Sequence, residues 1–263
     1  MNPLNIIPIE SLDDPRTQVF MQMGDKQLRR DQKILVDSPK VVCRMIAEGQ
    51  YPETLLASES FIEEQVDMLA SIPNLTIFTA SRERMESIVG HKLHHGVIAL
   101  AKRPMNLELG NLGSKILVLN GVNKAENVGS MIRSADCFGI DSILVGPHAL
   151  SPFVRRAIRV SMGSVFRLKI RHSESLQADL MSLQAKGFEV LGTGNYEASK
   201  SLYEHKFKEK SVLVIGSEGF GMDVGLRSLC DEMIRIPIQD RVDSLNAGIA
   251  AGVCLFEMAR PTD

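Results

Sequence analysis

The chain has 263 residues, 44% of them hydrophobic and 24% charged, with a net charge of −2. Such a length suits two domains or one large one, and such a balance buries a core, which excludes intrinsic disorder as the default. No apolar run reaches the roughly 18 residues that span a bilayer, and positions 1–14 lack a basic-then-apolar signal pattern, so a cytoplasmic protein with no membrane partner is expected.

From 33 to 101, short apolar runs alternate with amphipathic ones. Strands are predicted at 34–36, 54–57, 75–78 and 97–99, and helices over 38–49, 60–70 and 81–89. Ser38 and Ser81 stand where N-caps begin helices, and Gly49 and Gly90 where C-caps end them. This first α/β unit is followed by 103–113, rich in Pro and Gly and without period, which reads as a linker. A second unit restarts at 116–119, followed by a helix over 127–138 and a strand at 142–145. Then come a helix near 153–162, a strand at 165–170, a helix near 174–186, strands at 188–191, 212–215 and 233–236, and a last helix over 244–258. Strands this apolar, separated by helices, imply a mostly parallel sheet covered on both faces, with ligands beyond the carboxyl ends of its strands.

Three segments fall at such ends. In Asn127-Val-Gly-Ser-Met-Ile-Arg133, Asn127 is placed to cap a helix, and Arg133 lies one turn beyond Gly129 on the same side. Taken in isolation, an N-cap with a surface arginine is the simpler account of this segment. Gly216-Ser-Glu-Gly-Phe-Gly221 lets backbone approach a ligand closely around Glu218. Its glycine order is neither the dinucleotide fingerprint nor a P-loop, and a plain turn also accounts for it. Ile236-Pro-Ile238 leads into Ser244-Leu-Asn246 and a helix whose Gly248 and Gly252 permit tight packing against another helix or a partner chain.

The charge is uneven: positions 142–173 hold Arg155, Arg156, Arg159, Arg167, Lys169 and Arg171 without a carboxylate. That stretch suits phosphate contact, or else a solvated face paired with acids elsewhere. Cys43, Cys137, Cys230 and Cys254 are scattered and read as buried free thiols, and His91, His94 and His95 as a surface turn. No metal site is expected.

In this order and spacing, the three segments resemble the signature motifs of the SpoU/TrmH family of RNA 2′-O-ribose methyltransferases, a branch of the SPOUT superfamily, over roughly 116–260. Ser134-Ala135, Phe138-Gly139 and Val160-Ser-Met-Gly163 also look like the family. The first unit is similar to its small ribosomal-protein-like domain, including the His95-Gly-Val97 step. The resemblance implies an N-terminal α/β RNA substrate-binding domain (1–103), a linker (104–113) and a methyltransferase domain (114–263) with a C-terminal trefoil knot. It also implies S-adenosylmethionine as cofactor, tRNA or 23S rRNA as partner, and a homodimer formed through the C-terminal domain. By the family's pattern, Gly216, Ile236, Leu245 and Asn246 hold the cofactor, and the Leu191-Gly192-Thr193 loop lines the adenosine pocket. Arg133, Asn127, Glu218, Ser244 and Asn246 fall on catalytic or RNA-contacting positions. Arg155, Arg156 and Arg159 are then expected to grip RNA.

Two departures stand out. Asn123-Lys-Ala-Glu-Asn127 replaces the usual Asp-Pro-x-Asn, and Ala247-Gly248 replaces the Val-Ser that usually follows Ser-Leu-Asn. A methyl sulfonium is already activated, so alignment of a 2′-hydroxyl and assistance to proton loss are the tasks left to the protein. A permanently protonated arginine suits positioning and charge stabilisation. A non-catalytic RNA-binding or ribosome-assembly factor with the same fold is the alternative, disfavoured by the intact polar positions. A nucleotide-dependent oxidoreductase is disfavoured by the missing fingerprint.

Overall fold

The computed structural model describes residues 3–21, 25–90, 96–196, 198–219, 221–239 and 241–261. His91, His94, His95 and Phe220, and with them the expected histidine turn and the His95 step, lie outside the described residues. The chain divides into two compact units, 1–104 with 153–166, and 105–152 with 167–263.

The first unit is built on a mixed five-stranded sheet in the order β1-β4-β3-β5-β2. Its strands are β1 (Asn5–Pro8), β2 (Lys33–Asp37), β3 (Pro52–Ala57), β4 (Thr76–Thr79) and β5 (Val97–Lys102). β2 and β3 run antiparallel to β5. The helices are α1 (Asp25–Arg30), α2 (Pro39–Ala47), α3 (Glu59–Glu64), α4 (Val66–Ala70) and α5 (Arg82–Val89). Ser81 caps α5 by accepting from the Arg84 N–H, and Gly90 ends it in the left-handed region at φ 75°. Ser38 makes no side-chain cap. Its backbone is left-handed at φ 82°, and Pro39 at the first helical position starts the helix instead. The expected 60–70 helix is two, α3 and α4, parted at Gln65. Leu28, Leu35, Leu56, Phe78, Met85 and Ile98 form the heart of the core.

The second unit carries seven strands in the order β10-β12-β9-β11-β6-β7-β8. They are β6 (Lys115–Leu119), β7 (Ser142–Val145), β8 (Lys169–His172), β9 (Glu189–Thr193), β10 (Lys200–Ser201), β11 (Ser211–Ile215) and β12 (Glu232–Arg235). Every pairing is parallel. This agrees with the near-continuous apolar runs of β6, β7 and β11, whose residues are almost all buried. Its helices are α6 (Ala125–Cys137), α8 (Leu176–Ala185), α9 (Val224–Arg227) and α10 (Ala247–Ala259). The helix between them in sequence, α7 (Arg155–Val160), belongs to the first unit. The strand expected at 165–170 is a 3-10 turn followed by β8.

The expected linker is not free chain. Leu107 N–H donates to the Ile170 carbonyl at 3.4 Å, Asn106 hydrogen-bonds both backbone groups of His172, and Gly113 N–H reaches Ser142 Oγ at 2.7 Å. Positions 105–113 therefore pack as part of the second unit. All four cysteines are free; Cys254 is buried, but Cys137 is exposed, contrary to the expectation of four buried thiols. Burial pushes the Cys254 thiol up to about 12 and the Cys230 thiol to about 11, which makes both poor nucleophiles. Among the described residues no helix is long and apolar enough to cross a membrane.

Asp37, at the end of β2, is buried and accepts from Arg155 Nε and Nη2 at 3.0 Å, with Arg159 at 3.6 Å. Asp37→Ala should destabilise the first unit by about 1–3 kcal/mol in chemical denaturation, because a partly buried guanidinium loses two charge-assisted hydrogen bonds. Asp136→Ala, which breaks the more exposed Arg167 pair of the second unit, should cost no more than about 0.5 kcal/mol.

Candidate active site

The carboxyl ends of β9, β11 and β12 open onto one cleft of about 610 Å³. Thr193, Gly194, Asn195 and Tyr196 line it from the loop after β9, and Ile215 to Glu218 with Gly221 from the loop after β11. Ile236, Ile238 and the run from Asp243 to Ala247 line it from the chain after β12. Its walls combine isoleucine and leucine side chains with exposed backbone, the lining expected of a small-molecule site with a few polar groups at defined places.

Gly216 is required where it stands. A Cβ there would come within 2.6 Å of the backbone at Gly221 and Met222, which fold back in a small loop closed by reciprocal Ser217 and Gly221 hydrogen bonds of 3.0 Å. Across the cleft, Gly194 packs so close to the Tyr196 ring that a Cβ would strike it. The Arg227 guanidinium stacks over that ring, 4.6 Å from its centroid.

At the rim the three segments meet on one carboxylate. Glu218 accepts from the Lys124 ammonium, from Asn127 Nδ2, and from Asn246 Nδ2 at 3.2 Å. Asn246 Nδ2 also reaches Asn127 Oδ1 at 3.1 Å, while its Oδ1 caps α10 by accepting from the Gly248 and Ile249 N–H groups. Lys124 does most to hold the Glu218 carboxyl below its ordinary value; Asn127 and the Ala247 N–H add to this against partial desolvation.

Asn127 does not cap α6. That helix starts two residues earlier, at Ala125, so Asn127 lies inside its first turn and is buried, with its side chain turned to Glu218. Gly129 is buried as well, so there is no open backbone patch beneath Arg133. The small residues of α10 bring it against α6. A Cβ on Gly248 would sit 3.4 Å from Asn127 Oδ1 and from Ser130 Cβ, and one on Gly252 3.5 Å from Ser134 Oγ.

Of the residues expected to hold a cofactor, Thr193, Gly216, Ile236, Leu245 and Asn246 line the cleft. Leu191 and Gly192 do not. They lie within β9, paired with Leu213, Val214, Glu232 and Met233, and the adjoining wall is made instead by Gly194 to Tyr196. Ser244 lines the cleft with its hydroxyl unpaired among the described residues. Arg133 is exposed on α6 and is not among the residues that line the cleft, and it has no partner among the described residues.

Arg155, Arg156 and Arg159 sit on α7 in the first unit, and Asp37 takes two of them. Within the second unit Arg167 pairs with Asp136 at 3.4 Å, Lys169 with Asp141 at 2.7 Å and Arg171 with Asp179 at 3.2 Å. Most of the acid-free stretch thus meets carboxylates that the fold supplies. Sequence reasoning missed Lys124 and Tyr196 as site residues. The signal for Lys124 was present in the departure from Asp-Pro-x-Asn; Tyr196 carried none beyond an aromatic after a Gly-Asn turn. No cluster of three or more His, Cys, Asp or Glu side chains fit for a metal occurs among the described residues.

Comparison with known proteins gives this geometry a family. The model of the SpoU rRNA methylase family matches residues 114–256. The chain is 30% identical to an uncharacterised tRNA/rRNA methyltransferase of Mycobacterium bovis, covering 94% of this chain and 90% of that one. It is 33% identical to the 23S rRNA (guanosine-2′-O-)-methyltransferase RlmB of Yersinia pestis over 71% of this chain and 78% of that one. In fold it is similar to the AdoMet-bound rRNA methyltransferase from Sinorhizobium meliloti, with a TM-score of 0.85, 23% identity and 97% of each chain covered. By its matched motifs and by these relatives, the chain belongs to the SpoU rRNA methylase family.

Proposed function

We propose that this protein transfers a methyl group from S-adenosylmethionine to a ribose 2′-hydroxyl of structured RNA. The observation that carries the reading is the meeting of three distant segments on Glu218, beside a cleft of the right chemistry. The RlmB relatives favour 23S rRNA over tRNA as the substrate. An RNA of either kind implies work in the cytoplasm.

The cleft fits the cofactor. Ile215, Ile234, Ile236, Ile238 and Leu245 offer an apolar slot for an adenine, and the backbone around Gly194, Gly216 and Ile236 offers hydrogen-bonding groups at its edges. Asp243 in the lining supplies negative charge for a cationic ligand, whereas that of Glu218 is shared with Lys124. When bound, S-adenosylmethionine supplies a methyl group already activated by its positive sulfur.

The protein's own residues then have three tasks. The backbone of the loops after β9, β11 and β12 holds and orients. Glu218, kept ionised by Lys124, locks Asn127 and Asn246 in place and so fixes the loop that presents Ser244 to the cleft. Arg133 is exposed on α6 outside the cleft lining, so its part in positioning the ribose and stabilising charge on the 2′-oxygen is one for which bound RNA must bring the ribose to it. A requirement for that hydroxyl makes the substrate RNA rather than DNA.

The reading includes a homodimer and a trefoil knot. α10 exposes Ile249, Val253 and Phe256 at helical spacing, with Phe256 edge-on to Phe138, an apolar stripe that a second copy would cover. For the knot, the chain after β12 must pass back over β9 and β11 to lay α10 on α6, where Lys115 Nζ donates to the Met258 carbonyl at 2.5 Å.

S-adenosylmethionine at ~100 times its Kd should stabilise the protein by about 2.7 kcal/mol, read as a rise in Tm. Gly216→Ala should lose that rise while keeping its far-UV spectrum; a rise with NAD alone would overturn the reading. Arg133→Ala should cost about 10²–10³ in methyl transfer to RNA with cofactor affinity unchanged, and surviving activity would remove Arg133 from the chemistry. Because the folded Glu218 carboxyl lies below its ordinary 4.5, its stabilisation is complete above that value and fades as pH falls through the lowered one. The Tm difference between the native protein and Glu218→Gln should therefore hold near neutral pH and shrink as pH falls below the ordinary 4.5.

A further inference from the structure

The cations that gather in the first unit are far apart in sequence. α1 carries Lys26, Arg29 and Arg30; β2 begins with Lys33, and β5 ends with Lys102, followed by Arg103. The antiparallel register sets Lys33 directly opposite Lys102, and Arg103 N–H donates to the Gln32 carbonyl at 2.8 Å, which closes the corner. Lys26 and Arg30 are one turn apart on the same side of α1. Burial first, and the nearby Arg29 charge second, lower the Arg103 guanidinium from its ordinary value.

Compensation of Arg29, Arg30 and Lys102 is thin among the described residues. Among the described residues, Arg30 pairs with its exposed neighbour Asp31 at 3.4 Å, and Lys33 with Glu53 at 2.8 Å. Among the described side chains, no carboxylate pairs with Arg29 or Lys102. Like charges set opposite each other in a ladder, or one turn apart on a helix, cost stability. A chain of net charge −2 had acids to spare for this corner, as Asp37, Asp136, Asp141 and Asp179 show elsewhere. Arg103 is also held in place, 5.2 Å over the Phe153 ring, so part of its side-chain entropy is already lost before any ligand arrives.

We propose that this corner, formed by Lys26, Arg29, Arg30, Lys102 and Arg103 at the edge strand β2, binds the phosphodiester backbone of the substrate RNA. The inference rests on the RNA methyltransferase reading and assigns its substrate contact to a surface other than the 155–171 stretch. With few aromatics in the chain, and none among these five residues, the contact is with phosphates and includes no base stacking.

The test is the double variant Arg29→Glu with Lys102→Glu, set against Lys40→Glu with Arg82→Glu, which reverses two exposed cations of the same unit. The probe is an unmodified 23S rRNA transcript. The corner variant should bind it about tenfold or more weakly at low salt, with the slope of log K against log salt reduced by about 2 and with a raised KM for RNA. Its kcat at saturating RNA, its cofactor KM and its Tm should stay at native values, and the control pair should change RNA affinity by less than about threefold. Equal losses in the two variants, or no loss in either, would overturn the inference. Should the native protein methylate the transcript in that case, the function stands and the corner alone fails. Should it neither bind nor methylate RNA, the reading of the function fails as well.

Discussion

The site depends on one carboxylate having more acceptor positions than any other side chain offers. Lys124 and Asn127 come from the start of α6, Glu218 from the loop after β11, and Asn246 from the start of α10. A carboxylate accepts from several donors at once, and ionisation makes each such bond about twice as strong as a neutral one. Without it, three chain segments converging at the mouth of a cleft would each need a local partner. With it, Asn246 serves two elements, one side-chain oxygen starting α10 and one nitrogen tying that start to the other motifs. The identity of residue 218 thus sets where α10 begins and what Ser244 faces.

A second constraint is distance. Polar Asn127 can be buried in α6 only because its amide is consumed by Glu218 and Asn246, and those partners reach it because α10 offers glycine where it crosses. Gly216 works similarly on the other side, where its missing Cβ makes room for the returning backbone at Gly221. Small residues here are what lets backbone stand where side chains would otherwise line the cleft.

Much of this was legible in the sequence. The apolar runs that became β6, β7 and β11 could be read because strands covered on both faces leave few polar interruptions. Ser81 and Gly90 bracket α5 as their types suggest. The order of the motif segments gave the family, but local rules misassigned individual roles. Asparagine suits both an N-cap and a buried amide link, so Asn127 looked like a cap until Glu218 lay beside it. Lys124, before a helix, reads as solvated charge; only its tertiary partner makes it part of the site. Charge was the least legible. The acid-free run from Arg155 to Arg171 is largely neutralised by carboxylates distant in sequence, whereas the cations at 26–33 and 102–103 become one surface only through the β2–β5 register.

The packing of α7 bears on what counts as a module in this chain. The family match runs unbroken from 114 to 256, yet 153–166 within it packs with the other unit, so the polypeptide crosses between units at 104, 152 and 166. A fragment cut at 104 would keep Asp37 but lack both arginines that satisfy it, leaving a buried anion without its counter-charge. The complementary fragment would carry Ala157 and Ile158 of α7 without the surface that buries them. The stretch of sequence that makes a family recognisable and the stretch that folds as a body are therefore different here, and swapping catalytic modules between relatives at the apparent linker would replace a piece of the recipient's N-terminal core with the donor's.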